Sequence, residues 1–322
     1  MSPRHALRSV LLATASVLFA PVASIASGQD TVAATAAEEL LEAARKAGPW
    51  KVARLRERDG IRNGPDYRGG TIHYPTAADG AIADAGPLPI VAICPGYQAS
   101  EGSVRPWGDF LASHGIVVMT LGTNAPRDLP IARGRALLDA IETVRAEHTR
   151  EDSPLHGRLD LERTGVAGWS MGGGGAQHAA VMDDSLKGVV AWVPWQPGIA
   201  FKHAVPVMIL AGEKDRIAST RAHSRPHFER TPDSTTKLLF EIRGGNHFLP
   251  SNPGNHDGDV GAWTLAWIKA FVAGDEAYRS VLEREPSTAS IYELSRGGEA
   301  TEPERLESSG APGAKPSLGS PD

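Results

Sequence analysis

Short apolar runs alternate with longer stretches of helical periodicity along most of this chain of 322 residues. Several of the runs are almost continuously apolar, which is typical of strands buried on both faces of a sheet. The predicted strands cover residues 70–74, 90–94, 116–121, 164–168, 189–193, 205–210 and 238–242. The predicted helices cover residues 103–113, 131–147, 171–182, 221–230 and 259–273. This alternation predicts an α/β fold in which a central, mostly parallel sheet is flanked by helices on both faces.

The segment Gly168-Trp169-Ser170-Met171-Gly172 lies between a predicted strand and a predicted helix. A G-x-S-x-G sequence can occur by chance in a glycine-rich turn, but in this setting it predicts a nucleophile elbow. The turn is so sharp that glycines are needed two residues to either side of the serine. Ser170 is therefore the candidate nucleophile. The N–H of Met171, at the start of the helix, is a candidate donor to a developing oxyanion.

A serine hydroxyl needs a base that takes its proton, and in the α/β-hydrolase fold an acid and then a histidine follow the nucleophile. Asp215, just after the sixth predicted strand, is the candidate acid, and Glu213 is its nearest rival. His247, after the seventh, is the candidate base, and His256 in a polar loop is the alternative. Three further histidines are predicted to lie on the surface: His203, His223 and His227.

Two further loops follow predicted strands and carry aromatic residues. Residues 95–97 predict a second oxyanion donor, the N–H of Tyr97, whose ring would face the cleft. Pro194 and Trp195 also follow a buried strand. From the residues alone, core packing and a position in the cleft explain Trp195 equally well.

The N-terminus has the pattern of a targeting segment. Arg4 and Arg8 precede an apolar run over residues 10–20, and small residues follow up to Ala26. This pattern predicts a cleavable signal peptide over residues 1–26 and a secreted or periplasmic protein. The apolar run is shorter than the roughly 20 residues that span a bilayer, so a membrane anchor is not expected.

The remaining chain is predicted to contain one domain with two extensions. Residues 295–322 are rich in Gly, Ser, Pro and Glu and have almost no large apolar side chains, which is typical of disorder. We therefore expect an N-terminal helical lead-in over residues 27–67, a catalytic domain over 68–285 and a disordered C-terminal tail over 286–322.

Composition narrows the possible partners. The chain has 33 basic and 38 acidic residues and no basic run, so a nucleic-acid partner is not expected. Its single cysteine, Cys94, cannot form an intramolecular disulfide and fits a small buried hydrophobe. Trp263 and Trp267 are predicted core anchors. Serine chemistry needs no metal or organic cofactor, so none is expected, and we expect a monomer.

Several of these segments together resemble the bacterial cutinase and poly(ethylene terephthalate) hydrolase family. The matching pieces come in the family's order between about residues 68 and 282: residues 95–97, 112–118, 122–124, 168–175, 194–195, 212–215 and 245–248. The resemblance implies an α/β-hydrolase fold without a lid domain and a triad of Ser170, His247 and Asp215. It also implies an oxyanion hole formed by the Tyr97 and Met171 amides, and substrate contacts from Tyr97, Trp169, Trp195 and Phe248.

Some residues depart from the family pattern. A disulfide near the C-terminus is common in the family, and this chain has only one cysteine. Gln98 stands where a small hydroxyl residue is usual. Phe248 follows His247 as in the cutinase-like members, which narrows the cleft. Three arginines predict a more basic region beside the cleft: Arg127, Arg133 and Arg135.

The implied function is hydrolysis of polyesters and of short-to-medium acyl esters through an acyl-enzyme. A general carboxylesterase or dienelactone-hydrolase-like enzyme acting on small soluble esters is the main alternative. A hydrolase-fold protein that binds ligands without catalysis, and a peptidase or amidase with the same triad, are further alternatives.

Overall fold

Nine strands form a single sheet in the computed structural model, which describes residues 28–298. The strands are β1 Lys51–Leu55, β2 Tyr67–Thr76, β3 Leu88–Cys94, β4 Val117–Thr123, β5 Leu159–Trp169, β6 Gly188–Trp192, β7 Val207–Gly212, β8 Thr236–Ile242 and β9 Ala289–Arg296. Their order in the sheet is β1-β2-β4-β3-β5-β6-β7-β8-β9. Strands β3 to β8 run parallel to one another, and β1, β2 and β9 pair antiparallel with their neighbours.

Helices cover both faces of this sheet. They are α1 Gly28–Ala44, α2 Arg105–Ser113, α3 Pro130–Glu147, α4 Met171–Met182, α5 Ser224–Arg230, α6 Asp259–Trp267 and α7 Arg279–Leu282. Side chains of α3 and α4 belong to the apolar cluster on one face, and those of α1, α2 and α6 to the cluster on the other. The predicted α/β-hydrolase class is confirmed. Among residues 28–298, no connection forms a separate lid domain and no helix is long and apolar enough to cross a membrane.

Strands β3, β6 and β7 are buried along their whole length, as continuous apolar runs require in a sheet covered on both faces. Tryptophans fill the layer beside the sheet. The ring of Trp107 stacks on that of Trp192 with centroids 4.1 Å apart. Trp263 and Trp267 are 1% and 0% exposed, so their predicted role as core anchors is confirmed.

Two outer strands were not predicted. β1 lies in the expected helical lead-in and pairs with β2, and β9 lies in the expected disordered tail and pairs with β8. The tail prediction is therefore wrong for residues 289–296, and a purely helical lead-in is wrong for residues 51–55. Both strands are at the sheet's edges and have mixed burial, so neither has the continuous apolar run by which the inner strands were recognised. Residues 1–27, which include the predicted signal peptide, and residues 299–322 lie outside the described part of the chain.

The parallel strands place several loops at one edge of the sheet. Because the carboxyl ends of parallel strands meet at the same edge, the segments after β3, β5, β6, β7 and β8 are neighbours there. These segments carry the residues that the sequence singled out: Tyr97, Ser170, Trp195, Asp215 and His247.

Candidate active site

The turn between β5 and α4 holds Ser170 in a strained conformation, with φ 58° and ψ −116°. L-residues rarely adopt positive φ, so the surrounding structure has to stabilise the turn. The Ser170 amide donates to the Trp192 carbonyl at 2.9 Å, and its carbonyl accepts from the Trp195 and Gly174 amides. A Cβ atom on Gly172 would lie 2.3 Å from the Cys94 carbonyl oxygen, so a larger residue does not fit there.

Three side chains from three loops meet at this turn. The Nε2 atom of His247 lies 2.9 Å from the Ser170 Oγ, and its Nδ1 atom lies 2.7 Å from an Asp215 carboxylate oxygen. With the proton on Nδ1, the ring donates to Asp215 and leaves Nε2 free to accept from the serine hydroxyl. The three residues are 4–8% exposed, so water competes little for these hydrogen bonds. Each distance is short enough for proton transfer.

Asp215 is held as an anion. Burial alone would raise the pKa of Asp215, but a hydrogen bond from His247 and bonds from the Ala218 and Ile217 amides outweigh burial and lower it. Both amides donate to Oδ1 at 2.8 Å, which leaves Oδ2 for the imidazole. The carboxylate can therefore orient His247 and stabilise a positive charge on the ring.

Neither rival residue belongs to this arrangement. Glu213 is exposed, and its carboxylate accepts from the Gly244 amide at 2.7 Å, which links the loops after β7 and β8. His256 is half-exposed in the following loop with φ 50°. It lines a pocket of about 330 Å³ together with Asn246, Phe248, Leu249 and Asn255.

Two backbone amides next to Ser170 are available as donors. Within residues 28–298, neither the Tyr97 N–H nor the Met171 N–H has a hydrogen-bond partner. Met171 opens α4, where the helix dipole favours negative charge. The loop of Tyr97 is packed directly on Ser170, because a Cβ atom on Gly96 would lie 3.1 Å from the Ser170 Cβ. This pair of free donors can serve a developing oxyanion.

Comparison with known proteins identifies the family of the chain. The family model for PET hydrolase-like proteins matches residues 25–299. The chain belongs to the PET hydrolase-like family. It is 34% identical over 261 residues to cutinase est2 of Thermobifida alba, covering 80% of each chain. It is 35% identical over 247 residues to cutinase cut1 of Thermobifida fusca, covering 76% of this chain and 72% of that one.

A third relative has a more specific name. The chain is 32% identical over 261 residues to the bis(hydroxyethyl) terephthalate hydrolase of Streptomyces coelicolor, covering 81% of this chain and 79% of that one. The family to which the chain belongs is one of carboxylic ester hydrolases.

Aromatic side chains line the site of this PET hydrolase-like protein. Tyr97 is 49% exposed, Phe248 is 59% exposed and Trp195 is half-buried, so all three offer surface to a ligand. Trp169 differs, because it is only 8% exposed and its indole N–H donates to the His247 carbonyl at 2.9 Å. Trp169 therefore supports the loop of His247, and its expected contact with substrate stays a prediction.

The prediction that His203, His223 and His227 are surface residues is wrong, since all three are buried. The His223 ring packs beside Trp195 with centroids 5.9 Å apart and accepts from the Gln196 amide at 3.3 Å. His227 donates to the Gln196 carbonyl at 2.7 Å. The four-residue spacing of His223 and His227 indicates one helix face, but only the fold shows that this face points inward.

Burial keeps these histidines neutral. It lowers the pKa of His203 and of His227 to about 4, and it also lowers the pKa of His223. Among the described residues, no group of three or more His, Cys, Asp or Glu side chains is arranged to hold a metal ion. His223 and His227 support the segment of Trp195 and Gln196 from behind.

Proposed function

We propose that this chain is a serine ester hydrolase that cleaves polyesters and short-to-medium acyl esters through an acyl-enzyme. The observation that carries the proposal is the chain of short contacts from Asp215 through His247 to Ser170. The names of the cutinase and terephthalate-ester hydrolase relatives support the substrate class.

The first step is acylation of Ser170. His247 Nε2 takes the hydroxyl proton while Oγ attacks the ester carbonyl carbon, and the carbonyl oxygen becomes an oxyanion. The Tyr97 and Met171 amides donate to that oxyanion. The imidazolium then gives its proton to the leaving alkoxide, and the alcohol departs as the acyl-enzyme forms.

The second step is deacylation by water. His247 removes a proton from water, whose oxygen attacks the acyl carbon and forms a second oxyanion in the same place. When this intermediate collapses, the imidazolium returns its proton to Ser170 Oγ and the acid product leaves. Asp215 fixes the ring tautomer and stabilises its charge in both steps.

The surface around the site supports an apolar polymer as substrate. Seven large apolar side chains are exposed among the described residues, and five of them lie on segments at the site's edge of the sheet: Tyr97, Leu129, Ile131, Ile217 and Phe248. Pro130, between two of them, lies close to the strand connection that carries Trp195. The five side chains form an apolar rim, which can adsorb to a polyester surface because the contact removes apolar area from water.

The test compares Ser170→Ala with the unchanged protein on p-nitrophenyl butyrate and on films of polycaprolactone and poly(ethylene terephthalate). We expect the unchanged protein to hydrolyse the soluble ester and release products from film, and the variant to do neither. Turnover of the soluble ester without release from either film would instead support an esterase for small substrates. Full activity of Ser170→Ala would contradict the proposed nucleophile.

We also propose that the protein is exported and acts as a monomer. The basic, apolar and small-residue pattern of residues 1–26 supports cleavage by a signal peptidase. N-terminal sequencing of the protein recovered outside the cytoplasm tests the export, with a start at or near residue 27 as the expected result. Light scattering of the purified protein tests whether it is a monomer in solution.

A further inference from the structure

One arginine is completely buried beneath the site. Arg133, in the second turn of α3, is 0% exposed. Its guanidinium donates to three backbone carbonyls, those of Asp128 at 2.8 Å, Pro95 at 2.9 Å and Pro126 at 3.2 Å. The sequence-based expectation of a basic surface is therefore wrong for Arg133, whereas Arg127 and Arg135 are exposed.

Arg133 has no anionic partner. Within residues 28–298, no carboxylate oxygen lies within 4 Å of its guanidinium, although the other buried basic side chain, Lys237, pairs with Asp233. The Cys94 Sγ lies 3.9 Å from Nη1, but burial raises the pKa of this thiol to about 11, so it stays neutral. An unpaired buried cation is destabilising, and here the partners that the described residues supply are neutral: three carbonyls and the Cys94 thiol.

The carbonyls that hold the guanidinium belong to the segment around Tyr97. Pro95 comes two residues before Tyr97 and contacts Arg133 directly. On the other side, the Gln98 amide donates at 2.7 Å to the Pro126 carbonyl, which also accepts from Arg133. One side chain therefore fixes the backbone on both sides of the Tyr97 amide.

The helix of Arg133 is itself fixed relative to the nucleophile. A Cβ atom on Gly175 of α4 would lie 2.7 Å from the Arg133 Cβ, so α3 and α4 are in close backbone contact there. Because α4 begins directly after Ser170, this contact sets the distance between Arg133 and the nucleophile turn. Through its hydrogen bonds to the Pro95 and Pro126 carbonyls, the guanidinium then fixes the loop of Tyr97 relative to that turn.

We propose that Arg133 is a positioning residue for the oxyanion hole. It holds the Tyr97 amide at its distance from Ser170, and its unpaired positive charge lies behind the loop that meets the developing oxyanion. This inference rests on the proposed function. A field from a buried, fixed charge favours the charged transition state over the neutral ester, so Arg133 acts on kcat more than on KM.

The experiment compares Arg133→Met, Arg133→Lys and Arg135→Met in the full chain. Arg135 lies two residues along the same helix and is exposed, so Arg135→Met matches the charge change of Arg133→Met. Each variant is assayed for kcat and KM on p-nitrophenyl butyrate and for thermal stability. We expect kcat to fall about 100-fold in Arg133→Met with KM nearly unchanged, as for loss of one oxyanion donor. Arg133→Lys keeps the charge and should recover roughly tenfold of that loss.

The proposal is overturned if Arg133→Met folds and has the same kcat as Arg135→Met. If Arg133→Met does not fold, the same comparison is made with Arg133→Lys. A fall in melting temperature with unchanged kcat per folded molecule would likewise assign Arg133 a purely structural role. Ser170→Ala separates this failure from that of the proposed function. If the unchanged protein is active and Ser170→Ala is inactive, normal kcat in the Arg133 variants overturns only the inference about Arg133.

Discussion

The indole N–H of Trp169 donates a hydrogen bond to the carbonyl oxygen of His247 over 2.9 Å. The residue before Ser170 thus supports the residue whose ring contacts the Ser170 hydroxyl, although the two are 78 positions apart in sequence. The Trp169 ring also meets Phe248 edge-on, with centroids 5.9 Å apart. The elbow and the histidine loop are therefore joined by a neutral hydrogen bond as well as by the Ser170–His247 contact.

Trp169→Phe should weaken this connection. Because the variant leaves the buried His247 carbonyl without its donor, we expect the free energy of unfolding to fall by about 1–2 kcal/mol. We also expect kcat to fall several-fold as the imidazole loses its fixed position. Chemical denaturation and p-nitrophenyl butyrate turnover measure the two effects. Trp50→Phe, at a half-exposed tryptophan away from the site, is the control, and equal losses in both variants would contradict the link.

Asp215→Asn should decide between the two candidate acids. The amide cannot hold the proton on Nδ1 in the same way or stabilise the imidazolium, so we expect kcat to fall by about 10⁴-fold. Glu213→Gln should stay within a few-fold of the unchanged protein, because Glu213 contacts only the Gly244 amide in this region. Steady-state assays on the same ester compare them. The reverse ranking would assign the acid to Glu213.

Buried histidines should make the protein less stable in acid. The folded-state pKa of His203 is lowered by burial to about 4, whereas an unfolded histidine titrates near 6.5. The unfolded state therefore binds more protons between these values, so stability is retained above about pH 6.5 and is lost as pH falls toward 4. The contribution of His203 is on the order of 2–3 kcal/mol.

His203→Phe tests this prediction. The variant keeps a buried ring without a titrating group, so its melting temperature should fall less between pH 7 and about pH 4.5 than that of the unchanged protein. The exposed His156 provides the control variant His156→Gln, which should follow the unchanged protein. Parallel curves for all three proteins would show that His203 does not contribute to acid sensitivity.

The apolar rim should affect binding to polyester film and should not affect turnover of a soluble ester. Replacing both Leu129 and Ile131 with Ser removes two exposed apolar side chains beside the site without touching the triad. We expect binding to polyester film to weaken about tenfold, since each contact removes apolar area from water. Turnover of p-nitrophenyl butyrate should change little.

The matched control for the rim uses the other exposed apolar pair. Val181 and Met182 are similarly exposed, but they lie at the far end of α4, away from the catalytic edge. Changing both to Ser should leave film binding unchanged. If the two double variants lose film binding equally, adsorption depends on general surface hydrophobicity and not on the rim.

Much of the fold could be predicted because the inner strands are marked by continuous apolar runs. Each of the seven predicted strands overlaps an observed one, from β2 to β8. The missed strands, β1 and β9, have mixed burial at the edges of the sheet, where a local apolar run is not required. Their places are set by pairing with β2 and β8.

The residues of the candidate site could be predicted where a local sequence motif or a position after a strand indicates their chemistry. Ser170 lies in a motif, and Asp215 and His247 follow strands in a fixed order, so the structure brings together the residues that the sequence named. Arg133 and His223 lie in no motif that would indicate their roles. Their roles depend on which face of a helix is buried and on carbonyls and rings supplied by other segments.

The state of Cys94 has a practical consequence. This thiol is the chain's only cysteine, it is buried, and at neutral pH it is almost entirely protonated. Maleimides and similar reagents attack accessible thiolates, so the native protein should be nearly inert toward them. A cysteine introduced at an exposed position, such as Glu229 at the end of α5, would therefore be a unique attachment point, suited to a fluorophore or to oriented immobilisation on beads.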